Sequence, residues 1–186
     1  VDDVTVARVA TAHLIALGHR DIAHIGADPE FDIDFRVPGR RRRGFERALA
    51  DAGIPVSASR HEPADFTTDG GFHAARRLLG HSGPAPTAIF AASDEMAIGA
   101  LVAARELGLR VPGDLSVIGV DGHELGAFFH LTTVDQFPRR QGERAAEEVL
   151  TALERGPDDR HQALAPLPFE LVVRGTTAPL ATRSRQ

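Results

Sequence analysis

The segment from Ala88 to Asp121 constrains this chain more than any other. Ala88 to Ala92 is an apolar run of strand length, and Ser93-Asp94 supplies the polar residues that start a helix. Glu95 follows in the first turn, where its charge suits the positive end of the helix dipole. Met96, Ile98, Leu101, Val102 and Leu107 form the apolar side, and Gly108 stops the helix. Leu115 to Val120 is a second apolar strand that leaves Asp121 at its carboxyl end. A right-handed βαβ crossover sets both polar strand ends on one edge of a parallel sheet. Open α/β sheets bind ligands at that edge.

The same alternation runs along the whole chain. A helix from about Val4 carries Ala7, Ala10, Leu14 and Leu17 and closes at Gly18, ahead of a strand over Ile22 to Gly26. A polar loop, Ala27 to Pro38, leads to a helix marked by Gly44, Phe45, Ala48, Leu49 and Ala52. A weak strand near Arg60 to Phe66 and a capping cluster, Thr67-Thr68-Asp69, precede a helix over Gly70 to Leu79. Beyond the central unit come a strand over Thr132 to Asp135, a helix over Arg139 to Leu153 and a last strand over Leu167 to Val173. The pattern predicts an α/β, doubly wound parallel sheet.

With 186 residues, a formal net charge of −5 and no cysteine, the chain carries no overall basic footprint for nucleic acid. It also has neither a disulfide framework nor a Cys-based zinc site. No apolar run is long enough to span a bilayer, and no signal-peptide pattern opens the chain. Nine histidines are present, but none pairs at helical ligand spacing beside carboxylates, so no metal is expected. No nucleophile-elbow, phosphate-loop or dinucleotide motif occurs, and no histidine is placed to activate Ser93. No catalytic residue and no cofactor are therefore assigned. Arg40 to Arg43 are either a basic patch for phosphate or nucleic acid, which would also suit a purine or phosphorylated-sugar ligand, or a solvated helix turn. Arg41, three residues before Gly44-Phe45, is the one able to reach the strand-end edge. Ser93 and Asp94 serve as well as helix caps as they do as ligand contacts. Asp121 either caps a turn or accepts from sugar hydroxyls, and Phe66 is either core or a stacking platform.

Several motifs, taken in order, resemble the effector-binding core of the lactose/galactose repressor family (LacI/GalR). They are D-D-x₉-H-L-x₃-GHRDIAHIG from Asp2 to Gly26, R-x-x-G-F-x-x-A-L from Arg41 to Leu49, and AGI at Ala52 to Ile54. ASDEMAIGAL, GLRVPGDLSVIGVDG, LTTVDQ and LPFELVVRGTTA complete the series, which covers nearly all of residues 1 to 178. The resemblance implies a periplasmic-binding-protein-like second lobe, with the DNA-binding headpiece and most of the first lobe outside this chain. On that basis residues 1–121 form the second lobe, and 122–166 cross to or contact the first lobe. Residues 167–178 return as a strand, and 179–186 are a frayed tail.

The resemblance also implies effector contacts at Asp2, Arg41, Phe66, Ser93, Asp121 and Gln136. Asp3 replaces the usual Asn, Ser93 stands where Asn is frequent, Gly122 replaces an acidic or Asn residue, and His130 replaces Pro. The expected partners are a small-molecule effector, most simply a carbohydrate, a second copy in a homodimer, and operator DNA through the headpiece. The implied setting is cytoplasmic, without a membrane contact. The dimer surface would use the helices at Gly70 to Leu79 and Ala97 to Leu107, with Phe72, Leu78, Leu79, Leu101 and Val102. The rival readings are a sugar-binding protein of an import system, which shares the two-lobed fold, and an enzyme on an α/β scaffold.

Overall fold

The computed structural model describes residues 1–27, 36–80, 83–155 and 167–181. Its elements are α1 (Asp3–Ala16), β1 (Ile22–Gly26), α2 (Val37–Asp51), β2 (His61–Pro63) and α3 (Thr68–Gly80), followed by β3 (Ala88–Ala91), α4 (Asp94–Glu106), β4 (Ser116–Asp121), β5 (Thr132–Asp135), α5 (Pro138–Arg155) and β6 (Glu170–Val172). One six-stranded sheet has the order β2-β1-β3-β4-β5-β6. The first five strands pair in parallel and β6 returns antiparallel against β5, with Val134 opposite Leu171.

The layers follow from strand alternation. Ala23, Ile25, Ile89, Ala91 and Val117 face α3 and α4, while Ile22, Ala88, Phe90, Ile118 and Val120 face α1 and α2. Both faces of the inner strands are thus covered, which explains their near-continuous apolar runs. Asp2 caps α1 by accepting from the Val4 amide, and Ser93 caps α4 by accepting from the Met96 amide. Pro38 lies in the first turn of α2, where its missing N–H costs nothing. Gly44 lets α2 press against α1, because a Cβ there would meet the Val4 carbonyl oxygen and the Ala7 side chain.

Several expectations need correction. Helix α2 begins at Val37, so Val37 and Pro38 belong to it rather than to the preceding loop. Residues 28–35 of that loop lie outside the described residues. The weak strand contracts to His61–Pro63, because Asp65 and Thr67 bond locally and start the turn into α3. The final strand is antiparallel rather than parallel. Thr132–Asp135, expected within the crossing segment 122–166, is an inner strand of this same sheet, buried between β4 and β6. The tail expected to fray from 179 is tied down at Leu180, whose amide donates to the Leu17 carbonyl at 2.9 Å. Residues 182–186 lie outside the described residues.

Candidate functional site

The parallel strands β1, β3, β4 and β5 end together on one edge of the sheet, and a buried arginine gathers three segments there. Arg41 lies on the inner stripe of α2 with Phe45 and Ala48, and is 6% exposed. Its Nε donates to Asp3 Oδ1 of α1 at 3.0 Å, and its Nη2 donates to Asp121 Oδ1 of β4 at 2.8 Å. Its Nη1 donates to the Ala92 carbonyl oxygen just beyond β3. Gln136 Nε2 donates to the same Asp121 Oδ1 at 3.0 Å. Three of the five guanidinium N–H donors are thereby engaged.

Electrostatics keep the guanidinium charged. Burial works against the charge on Arg41, but Asp121 and Asp3 outweigh it and hold the guanidinium protonated. Burial pushes the Asp121 carboxyl above the usual carboxylate range, and Arg41 offsets that rise only in part. The Asp121 side chain is still 33% exposed, so its rim faces solvent at the strand ends. A buried ion pair needs further hydrogen bonds to offset its desolvation, and here the Ala92 carbonyl and the Gln136 amide add two to the two ion-pair contacts.

A second acid sits beside the first. Asp94, the opening residue of α4, is fully buried. Its Oδ2 accepts from the amides of Gly122 and His123 at 2.9 and 2.8 Å, and its Oδ1 accepts from Thr133 Oγ1 at 2.7 Å. Burial pushes its pKa up to about 6, against the pull of those three bonds, and nearby Asp121 adds to the rise. The turn that it holds is unusual. Asp121 has φ +122° and Gly122 φ +78°, and a Cβ at Gly122 would run into the Asp135 carboxylate.

The sequence-derived site residues divide into two groups. Arg41, Asp121 and Gln136 meet in one network, and Ser93 follows the Ala92 carbonyl that completes it. Ser93 itself is 1% exposed and spends its oxygen as the α4 cap. Asp2 is exposed and points its carboxylate at Val4 and Thr5, not at Arg41. Its neighbour Asp3 holds that place. Phe66, at φ +62°, packs partly buried against the α3–α4 side of the core. Asp3 was legible in the pattern, since it falls in register with the buried stripe Val6, Ala7, Ala10 and Leu14. An acid on that stripe requires a cation, and Arg41 lies on the matching stripe of α2. Thr133 and the clamping role of Asp94 carried no comparable signal, because strand pairing alone creates them.

The periplasmic binding protein-like domain matches residues 11–177 of this chain. The transcriptional regulator DegA of Bacillus subtilis is 40% identical over 98% of the chain and 52% of its own length. The transcriptional repressor PurR of Erwinia tasmaniensis is 40% identical over 76% of the chain and 41% of its own length. The chain thus spans about half the length of the curated relatives it matches. Among solved structures, a LacI family regulator from Enterococcus faecium with bound ribose superimposes with a TM-score of 0.81 at 28% identity, covering 97% of this chain and 65% of that one. The cellobiose complex of the regulator CelR superimposes at 0.83 with 31% identity, covering 95% of this chain and 52% of that one. Sequence motifs, sheet topology and these matches agree: the chain belongs to the periplasmic binding protein-like domain family and corresponds to part of a LacI/GalR-type effector-binding core.

Proposed function

We propose that this chain is the ligand-sensing part of a LacI/GalR-type transcriptional regulator, and that a carbohydrate docks on the carboxyl edge of β1, β3, β4 and β5. The observation that carries this reading is the Arg41–Asp121–Gln136 network, which offers donors and acceptors on one rim of a preorganised edge. A polyhydroxylated ring needs that mixture. Relatives named for transcriptional regulation, and structural neighbours solved with ribose and cellobiose, favour it over the import-protein and enzyme readings.

The regulator would act in the cytoplasm and contact operator DNA through a helix-turn-helix headpiece outside this chain. A first lobe would close over the ligand, and the effector would act through its preference for one lobe arrangement. Helix α5 supports that division. None of its described side chains is buried, and Val149, Leu150 and Leu153 are 59, 62 and 76% exposed. Those side chains are the face that a first lobe would cover.

Calorimetry with ribose and cellobiose tests the assignment. One wall of the pocket gives few contacts to offset ligand immobilisation, so millimolar binding is expected. Asp121→Asn should weaken it about tenfold, since a charged acceptor is worth about 1.5–3 kcal/mol. If neither sugar shifts the amides of residues 41, 121 and 136 at about 50 mM, a concentration that would register even weak binding, the carbohydrate assignment fails.

A further inference from the structure

We propose that Asp94 is a positioning residue for the ligand face: its carboxylate holds the Asp121–Gly122–His123 turn, and its protonation loosens that turn. The consequence for ligand binding rests on the reading of this edge as the effector face. The clamp itself does not.

The geometry joins three elements through one side chain. Asp94 stands at the head of α4, immediately after the Ser93 cap, and is fully buried. It spends one oxygen on two successive amides beyond β4 and the other on the Thr133 hydroxyl of β5. Those amides follow directly on Asp121, whose backbone is in the sparsely populated φ +122° region. A conformation of that kind persists only where its surroundings over-determine it. Here the surroundings are the Asp94 bonds, the Asp135 carboxylate packed at Gly122, and the bonds from Arg41 and Gln136 to Asp121.

A proton changes the strength of this arrangement without emptying it. The carboxylate accepts three charge-assisted bonds, and protonation turns one oxygen into a donor. Thr133 can then accept instead of donate, but the two amides are left facing a neutral carbonyl and their bonds weaken. With its pKa near 6, Asp94 makes this change in the weakly acidic range. The charged and titratable groups around it are Asp121 and His123 on the turn, Asp135 on β5, and Arg174, whose Nη1 lies across Gly126. Arg41 and Glu95 act one step away, through Asp121. Among the described residues no ion pair is made by Asp94, so burial opposed by hydrogen bonds sets its affinity for the proton.

The test is a pH titration of backbone amide shifts from pH 7.5 to 5, run on the wild-type chain, Asp94→Asn and Thr133→Val. In the wild type the Gly122 and His123 amides should move together with a midpoint near 6, as the Asp94 carboxyl carbon does. In Asp94→Asn, which keeps the shape and can still accept both amides, that step should vanish while core strand amides stay unchanged. Thr133→Val removes one stabilising bond to the carboxylate and should raise the midpoint. Static Gly122 and His123 amides in a folded wild-type protein would overturn the proposal. So would a step that persists in Asp94→Asn, because Asp121 would then be its source. Ribose binding by the same samples supplies the functional arm, with affinity about threefold to tenfold weaker at pH 5 than at 7.5 in the wild type only. An amide step present in the wild type and absent in Asp94→Asn upholds the clamp even if ribose never binds, and in that case only the carbohydrate reading falls.

Discussion

At the scale of single residues, Arg41 joins α1, β3 and β4 with one guanidinium. Removing it strands Asp3, 8% exposed, beside Asp121 without a counter-charge. Arg41→Met should therefore cost about 3–5 kcal/mol in urea unfolding, the range for breaking a buried pair. Removing one of the two stranded charges with Asp3→Asn in the same chain should recover part of that loss. A loss below about 1 kcal/mol for Arg41→Met would show that the pair is dispensable. Buried acids and bases also give stability opposite dependences on pH. Asp94 is raised from 3.8 to about 6, so its folded state binds the proton first. The cost of its burial is present above pH 6 and is relieved as pH falls towards 4, by about 3 kcal/mol at most. His24, stacked on Phe45 and Phe90 and pushed well below 6.5 by burial, does the reverse. The unfolded chain protonates there first, so stability is lost as pH falls below 6.5. Thermal unfolding of Asp94→Asn between pH 7 and 5 should consequently fall more steeply than that of the wild type, because the Asp94 contribution that opposes the histidine effect is gone.

At the scale of elements, helix contacts set how closely the layers lie. The α1–α2 contact depends on Gly44, where Ala would meet the Val4 backbone and the Ala7 side chain. Gly44→Ala is expected to destabilise by about 1–3 kcal/mol through overpacking, despite the better helix propensity of Ala. It should also shift the Arg41 amide, since Arg41 lies one turn earlier on α2. A stabilised Gly44→Ala variant would mean that the two helices have room to separate. Helix and strand positions were largely legible, since Ile22–Gly26 and Thr132–Asp135 coincide with the runs read from the sequence. Element ends were less so. The weak strand shortened because Asp65 and Thr67 bond to their own neighbours, a local competition that apolar patterning does not register.

At the scale of the whole molecule, two surfaces expose apolar side chains. On the α3–α4 side Val102 and Leu107 are 37 and 41% exposed, with Phe72, Leu79 and Leu101 partly buried beside them. Leu78, expected on this surface, is instead 1% exposed within the core. An isologous two-fold contact on this face predicts a dimer in sedimentation at about 50 µM that Val102→Glu converts to monomer. A monomeric wild type at that concentration would overturn the homodimer that the family resemblance implies. Helix α5 gives the complementary prediction. Leu150→Glu and Leu153→Glu should change the stability of this chain by less than about 0.5 kcal/mol, because both sites are already solvated. A large loss would show that α5 packs on this lobe after all.

The sequence by itself determined the layer order, the run of parallel strands and the edge where Arg41 and Asp121 meet. Apolar period and strand-end polarity are local properties, and parallel crossovers have one hand. It also carries the acid Asp3 on the buried stripe of α1, facing the buried arginine of α2. Only the tertiary structure decided which aspartate of the Asp2-Asp3 pair meets Arg41, since the rotation of α1 sends one to solvent and the other inward. It alone made Asp94 a clamp, because the amides of Gly122 and His123 and the hydroxyl of Thr133 lie 28 to 39 residues away along the chain. Strand pairing brings them together, and no periodicity within a single segment encodes a bond between segments.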